Sequence, residues 1–289
     1  MASTQVLKLR IRSVKNTKQI TKAMQLVAAS KMRRAQETTK ASAPYSVAAQ
    51  EMLASLSRHK SAKGHPLFAR RVIKTRLLIV IASDKGLAGA YNNNITKLYA
   101  EELQSDVKNG IHSKTITIGR KAAMFASRIK DVDVVGFYED IPDQPNSNEF
   151  KAILDTAREK FLAREVDAVD IIFTEFISGI RQEVKTVRVL PAGFEAVDTT
   201  VDDENPLFEP SVGQVLNAVA YRLVEAQIFQ SLLEARASEH SMRMLAKKNA
   251  TDNATDLIDD LTLAMNKARQ GAITQELAEI SGGVEAINV

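Results

Sequence analysis

Apolar positions in the last third of the chain, from Pro210 to about Glu285, recur at intervals of three and four. They are Leu216, Val219 and Leu223, then Ala254, Leu257, Leu261, Ala264 and Ala268. That spacing returns side chains to one stripe of a helix and predicts a helix or coiled coil. Ser211 with Gln214 three residues on reads as a capping box, and Pro210 marks the turn into the helix. A continuous helix over 210–285 would be about 115 Å long at roughly 1.5 Å per residue, which no ordinary compact domain contains. Something must cover its apolar stripe. A second long helical pattern covers 3–58, with Leu7, Ile11, Val14, Ile20, Met24 and Val27 on the expected face. Ala28, Ala29 and Ala35 leave room there for a neighbouring helix. Pro44 is expected to bend or locally open this helix, because proline lacks an N–H and crowds the preceding turn. Gly64 and Pro66 stop it. The two helices are expected to pair antiparallel, since each alone would stand unsupported in water.

Between about 70 and 195 the period changes. Residues 77–82 are a six-residue apolar run entered from basic residues, the pattern of a strand buried on both faces in a parallel sheet. Further strands are expected at 115–118, 132–137, 169–176 and 184–190, the last returning antiparallel through a turn at Ser178 and Gly179. Helical patterns lie between them at 94–107, 121–129 and 146–163, the third capped by Asn146 with Glu149. Strand and helix in this alternation predict a doubly wound layer. An acidic, turn-forming stretch, 199–210, delivers the chain to its final helix. The expected fold is therefore α/β, a small Rossmann-like domain inserted into a long antiparallel coiled coil of the terminal helices. Its expected parts are an N-terminal helix (1–60), a linker (61–72), the α/β domain (73–195), a linker (196–209) and a C-terminal helix (210–289).

Charge changes this picture. Residues 1–60 hold twelve Lys or Arg against Glu37 and Glu51, a net of +10, while the whole chain carries +4, so the remainder sums to −6. Lys8, Arg10, Arg12, Lys15, Lys18, Lys22, Lys31, Arg33 and Arg34 all precede the first acid. So many cations without acids imply an acidic partner. Nucleic acid is disfavoured by the lack of zinc-finger spacing, an RNA-binding aromatic signature or a short helix-turn-helix. Lipid is disfavoured by the absence of tryptophan and the few large apolar groups on the opposite face. A protein surface remains. No run of eighteen apolar residues occurs, so no membrane span is expected, and the N-terminus lacks the apolar core of a secretory signal.

Candidate chemistry is sparse. There is no cysteine, and His59, His65, His112 and His240 are scattered, so neither a thiolate nor a metal site is expected. The loop after the first strand, Ser83 to Asn92, has glycines at G-x-x-G and neither a dinucleotide fingerprint nor a G-K-S/T. Gly86 and Gly89 are expected to allow a tight turn and the close approach of another backbone. Asp84, Lys85 and Arg120 would form a polar rim for a protein contact. Asp84, Asp143 and Glu175 are the available acids, but none has a histidine, cysteine or second carboxylate at useful spacing. No catalytic residue and no cofactor is expected.

Three separated stretches resemble one family. Residues 11–36 (IRSVKNTKQITKAMQLVAASKMRRAQ), 83–92 (SDKGLAGAYN) and 266–283 (NKARQGAITQELAEISGG), the last preceded by SEHSMRMLAKKNATDNA, are similar to the gamma subunit of the F-type ATP synthase. The likeness spans essentially the whole chain and is of the non-plastid type. It implies a central rotating shaft that couples ion translocation in the membrane sector to ATP synthesis or hydrolysis in an alpha/beta head. It implies as partners three alpha and three beta subunits, the epsilon subunit and the c-ring, with no nucleic acid. The chain would then be peripheral to the cytoplasmic face of a bacterial inner membrane. The resemblance further implies that Met24, Arg243, Arg269, Gln270 and Thr274 lie where the shaft meets beta subunits, with Lys22, Arg33 and Arg34 facing an acidic loop of beta. Departures from the family pattern stand out, among them the lack of the acidic, cysteine-bearing insertion that plastid relatives carry in the middle domain. Ala88 takes a position often held by cysteine, and Lys247 and Asn249 are more polar than the usual Met and Ala. Read without the resemblance, a basic coiled-coil adaptor or nucleic-acid scaffold is the alternative.

Overall fold

The computed structural model describes residues 4–58, 64–130, 132–143, 147–193 and 212–287. The chain divides into two compact units, Met1–Val27 with Met244–Val289, and Ala28–Arg243. Helix α1 (Thr4–Arg58) and helix α5 (Val212–Ile287) each contribute to both. The caps expected at Ser211 with Gln214 and at Asn146 with Glu149 rest on side chains outside the described residues.

The first unit is a helix pair. On α1 the covered positions are Thr4, Leu7, Ile11, Val14, Lys18, Thr21 and Gln25; on α5 one line of covered positions runs through Met244, Lys247, Thr251, Ala254, Ile258, Leu261, Met265 and Ala268, with Ala246, Ala250, Thr255 and Thr262 half-buried beside it. Steps of three and four alternate without a slip, which is the heptad repeat of a coiled coil. The Thr21 and Thr251 hydroxyls, both buried, hydrogen-bond at 2.9 Å. From that pair, the same number of residues leads back along α1 to Thr4 and forward along α5 to Ala268, the last covered position. The helices are therefore antiparallel, as expected. Beyond Ala268 every described α5 residue to Ser281 is exposed.

The seam differs from the expected face. Ile20, Met24 and Val27 point to solvent, as do Ala264 and Leu257, the last 46% exposed. The reason is continuity. Leu7, Ile11 and Val14 set the repeat, and stepping on by four and three gives Lys18, Thr21 and Gln25. Ile20 lies about 200° around the helix from Lys18, so no single turn can bring both into the seam. On α5 the true line runs through Ile258 and Met265, each one residue beyond the expected member. We expect Ile258→Asp and Leu261→Asp to cost about 1–3 kcal/mol, because the carboxylate enters a half-buried seam, and Leu257→Asp to stay within about 0.5 kcal/mol of wild type. Limited proteolysis of the C-terminal helix reads the difference. Equal loss of protection in all three variants would refute this register.

The second unit carries the sheet. Its strands are β1 (Thr75–Ile81), β2 (His112–Ile118), β3 (Asp133–Tyr138), β4 (Ala168–Phe176) and β5 (Gln182–Leu190), in the order β3-β2-β1-β4-β5. The first four are parallel and β5 pairs antiparallel with β4. The helices are α2 (Tyr91–Lys108), α3 (Arg120–Ala126) and α4 (Ser147–Leu162). Successive residues of β1 enter different cores, as the two-residue period of a strand requires. Leu77, Ile79 and Ile81 join α4 through Ile153 and Phe161, α1 through Ala49 and Leu53, and α5 through Leu216, Ala220 and Leu223. Leu78 and Val80 join α2 through Ile95 and Tyr99, and α3 through Ala122. Both faces being covered explains why this strand is apolar without alternation. Within this unit α1 meets α5 through the Ser42 hydroxyl, which donates to Gln230 Oε1 at 2.6 Å. Pro44, exposed, is carried inside α1 without a break, so the local opening expected there does not occur.

Candidate functional site

In a sheet of this order the ligand crevice lies beyond the carboxyl ends of β1 and β4, where the strand order reverses. Here the middle of α5 fills it. Tyr91 donates its hydroxyl to the Ala235 carbonyl at 3.1 Å. Ser238 donates to the Thr174 carbonyl at 3.1 Å and Ser241 to the Gly179 carbonyl at 2.7 Å. Arg236 pairs with Glu239 at 2.9 Å and donates to the Ile141 carbonyl at 2.6 Å. Arg243 pairs with the other oxygen of Glu239 at 2.7 Å and donates to the Lys85 carbonyl at 3.1 Å. Burial works against the Arg236 charge, but Glu239, Tyr91 and Asp84 outweigh it and raise the pKa. The Tyr91 phenol is pushed up by burial and then by Glu239, so it stays a neutral donor.

The acids considered for catalysis are engaged in holding chain segments. Asp143 receives His240 Nε2 and Lys31 Nζ, each at 2.8 Å. The hydrogen bond from His240, opposed by burial and helped by Lys31, holds the Asp143 carboxyl well below the usual range. Asp84 accepts the Arg120 amide at 3.1 Å and lies 3.7 Å from the Arg236 guanidinium. Glu175 pairs with Lys185 at 2.6 Å. The expected polar rim therefore exists, but it ties the first sheet loop to α3 and α5. Gly89, with φ +59°, makes the expected tight turn. At Gly86 an added Cβ would meet only the Lys121 side chain, at 3.8 Å, so no backbone approach demands glycine there. A close backbone approach occurs instead at Gly119, beside the Ala82 carbonyl.

The residues singled out by resemblance fall into three groups. Lys22 and Met24 are exposed on α1 in the first unit, Lys22 Nζ lying 3.4 Å from Gln25 Oε1. Arg269, Gln270 and Thr274 are exposed on the unpaired end of α5, where Thr274 donates back to the Gln270 carbonyl at 2.9 Å. Ile273, Leu277 and Ile280 add an exposed apolar stripe to the same helix. In the second unit, Arg33 and Arg34 are exposed, Arg33 with Glu37 at 3.2 Å, whereas Arg243 is largely covered by the contacts described above.

Residues 3–287 match the family model described as ATP synthase. The chain is 38% identical over 288 residues to the ATP synthase gamma chain of Stenotrophomonas maltophilia (strain R551-3), covering 99% of this chain and 100% of that one. The chain belongs to the ATP synthase gamma family. The gamma chain of Macrococcus caseolyticus (strain JCSC5402) is 40% identical over the same length and coverage. Among solved structures, a chain of the central stalk and c-ring of the Tetrahymena thermophila mitochondrial ATP synthase superposes with a TM-score of 0.64 at 25% identity. That alignment covers 80% of this chain and 99% of the other. A chain of the Euglena gracilis mitochondrial enzyme gives a TM-score of 0.69 over 98% of this chain and 94% of its own, a likeness of fold at 18% identity. As a gamma chain the protein is a subunit of the membrane-associated F-type ATP synthase. Among the described residues no helix is long and apolar enough to cross a membrane.

Two features of this gamma chain were not evident in the sequence. The SEHSMR stretch, 238–243, carries only a family resemblance in the sequence, yet Ser238, Glu239, His240, Ser241 and Arg243 each bond the α/β layer or hold a group that does. The second is a buried ion cluster. Asp170 on β4 is met by Arg76 of β1 and Arg188 of β5, and Arg76 also pairs with Glu102 at 2.7 Å and Asp106 at 3.0 Å on α2. A lone acid inside the apolar run AVDIIF was the available signal.

Proposed function

We propose that the chain is the rotating central shaft that couples ion translocation through the membrane sector to ATP synthesis or hydrolysis in the head. The observation that carries this reading is the end of α5. From Arg269 to Ser281 the helix has no covering neighbour among the described residues, yet it keeps an apolar stripe at Ile273, Leu277 and Ile280. An isolated helix of that length is marginal in water, so a surrounding surface that accepts both the stripe and the polar residues beside it is required. A ring of three alpha and three beta subunits supplies such a surface, and a shaft with different faces touches each beta subunit differently. Contacts that differ between beta conformations are what allow rotation to shift their populations.

Lys22, Met24, Arg33, Arg34, Arg269, Gln270 and Thr274 are the proposed contacts with the head. Arg243 belongs to the same set through the small part of its side chain left open. The α/β domain then meets the epsilon subunit and the c-ring, on the cytoplasmic face of the bacterial inner membrane. The division into terminal helices, linkers and an α/β domain over 73–195 is the proposed functional partition. The Arg269→Ala/Gln270→Ala double variant tests the reading. Both side chains are exposed and hold up no packing, so the complex should assemble with unchanged stability while ATP synthesis in membranes falls severalfold. Wild-type synthesis rates with the double variant would sink the assignment.

A further inference from the structure

A cavity of about 210 Å³ opens in the second unit between α1, the β4–β5 edge of the sheet and α5. Its apolar wall is Phe173 and Val187, and its polar wall includes Gln50, Gln227 and Glu234. The charges facing it come from three residues: Glu234 on α5, Glu175 on β4 and Lys185 on β5; α1 contributes only Ala43, Ser46, Val47 and Gln50. Glu175 and Lys185 neutralise each other at 2.6 Å. Glu234 is left over. Its Oε1 accepts Gln230 Nε2 at 2.9 Å, while its buried Oε2 has no hydrogen-bond partner among the described residues. Burial pushes the Glu234 carboxyl up, more than Gln230, Lys185 and the Phe176 backbone N–H together bring it down. A buried carboxylate oxygen without a partner is costly, and such groups in native structures call for an explanation.

The geometry points to a binding site for a small organic monocation, an ammonium or amidinium ion, that donates to Glu234 and lays its apolar part against Phe173 and Val187. One positive charge balances the one surplus carboxylate. Volume limits the ligand further, since the cavity is below the roughly 300–1,000 Å³ of pockets for drug-sized molecules. A metal ion fits less well. Among the described residues no group of three or more His, Asp or Glu is placed to hold one, and Phe173, Val187 and Val189 line the same cavity. The site is independent of the rotary reading, as none of its lining residues is among the proposed head contacts.

Benzamidinium is a suitable probe, with benzamide as its uncharged near-isostere. Isothermal titration of the full chain should show saturable one-to-one binding of benzamidinium, and binding of benzamide weaker by about tenfold or more, as expected for losing a hydrogen bond to a charged group. Glu234→Gln should abolish the preference for the cation. Val187→Phe, which fills the cavity from the sheet wall and leaves Glu234 in place, should abolish binding of both compounds. The wild-type comparison decides even if a variant fails to fold. No saturable binding, equal affinity for the two compounds, or unchanged binding in folded forms of both variants would overturn the site.

Discussion

Asp170→Ala should destabilise the protein by about 3–5 kcal/mol, the usual cost of removing one partner from a buried ion cluster. Asp170 is 1% exposed and pairs with both Arg76 and Arg188. Arg76 can fall back on Glu102 at 2.7 Å and Asp106 at 3.0 Å, so part of its charge stays compensated. The same acids are already committed, however. Thr186 donates to Glu102 at 2.7 Å and Ser113 donates to Asp106 at 2.7 Å. Burial works against the Arg76 charge, and Asp170, Glu102 and Asp106 reverse this and raise its pKa. The variant therefore removes a buried carboxylate that two guanidinium groups share between β1, β4 and β5. Urea unfolding of the full chain, followed by circular dichroism, measures the loss. A change below about 1 kcal/mol would mean that water replaces the carboxylate freely and that the cluster is not a closed one.

The second large effect is expected at Gly119, where the turn after β2 crosses the chain leaving β1. Its φ is +90°, and an added Cβ would lie 2.2 Å from the Ala82 carbonyl oxygen and 2.8 Å from its carbon. Both atoms are backbone and are held in place. Gly119 N–H donates to the Tyr138 carbonyl at 2.7 Å, Ala82 N–H to the Ile118 carbonyl at 2.9 Å and Lys121 N–H to the Ser83 carbonyl at 3.0 Å. Gly119→Ala must therefore break this set of bonds or adopt a strained backbone. We expect a loss of about 3 kcal/mol or more, since backbone strain alone contributes about 1–3 kcal/mol. Gly271→Ala is the matched control. It lies within α5 with nothing near its Cβ position, so alanine should gain up to about 1 kcal/mol through helix propensity. Thermal unfolding of the two variants should move in opposite directions. A Gly119→Ala protein as stable as wild type would show that the two turns can separate.

Much of this architecture was legible from periodicity. The long terminal helices, the five strands and the antiparallel return of β5 follow from spacing that depends only on local geometry. The β1 run LLIVI shows why. A strand with both faces buried needs no polar alternation, so its burial is written into its composition. The resemblance of 11–36, 83–92 and 266–283 to the gamma family was likewise legible, because it depends on residue identity alone.

The seam of the helix pair was decided by tertiary structure. Ile20, Met24, Val27 and Leu257 are as apolar as Leu7 and Ile11, and hydrophobicity by itself does not say which of two stripes a partner helix covers. The covered stripe passes through Lys18, Thr21, Gln25 and a Lys247 that is only 6% exposed, because a coiled coil must keep one heptad line, and Thr21 with Thr251 satisfies its buried polar groups internally. The crevice at the strand switch was decided in the same way. Glu239, His240 and Arg243 lie more than a hundred residues from Lys85 and more than ninety from Asp143 in sequence, so no local pattern announces that α5 closes the site where such a sheet would take a ligand. What the sequence by itself determined is each element and its kind, through the period of its apolar residues. What only the tertiary structure decided is which apolar face is spent within the chain and which is left bare, because that choice depends on contacts between residues the chain brings together only when folded.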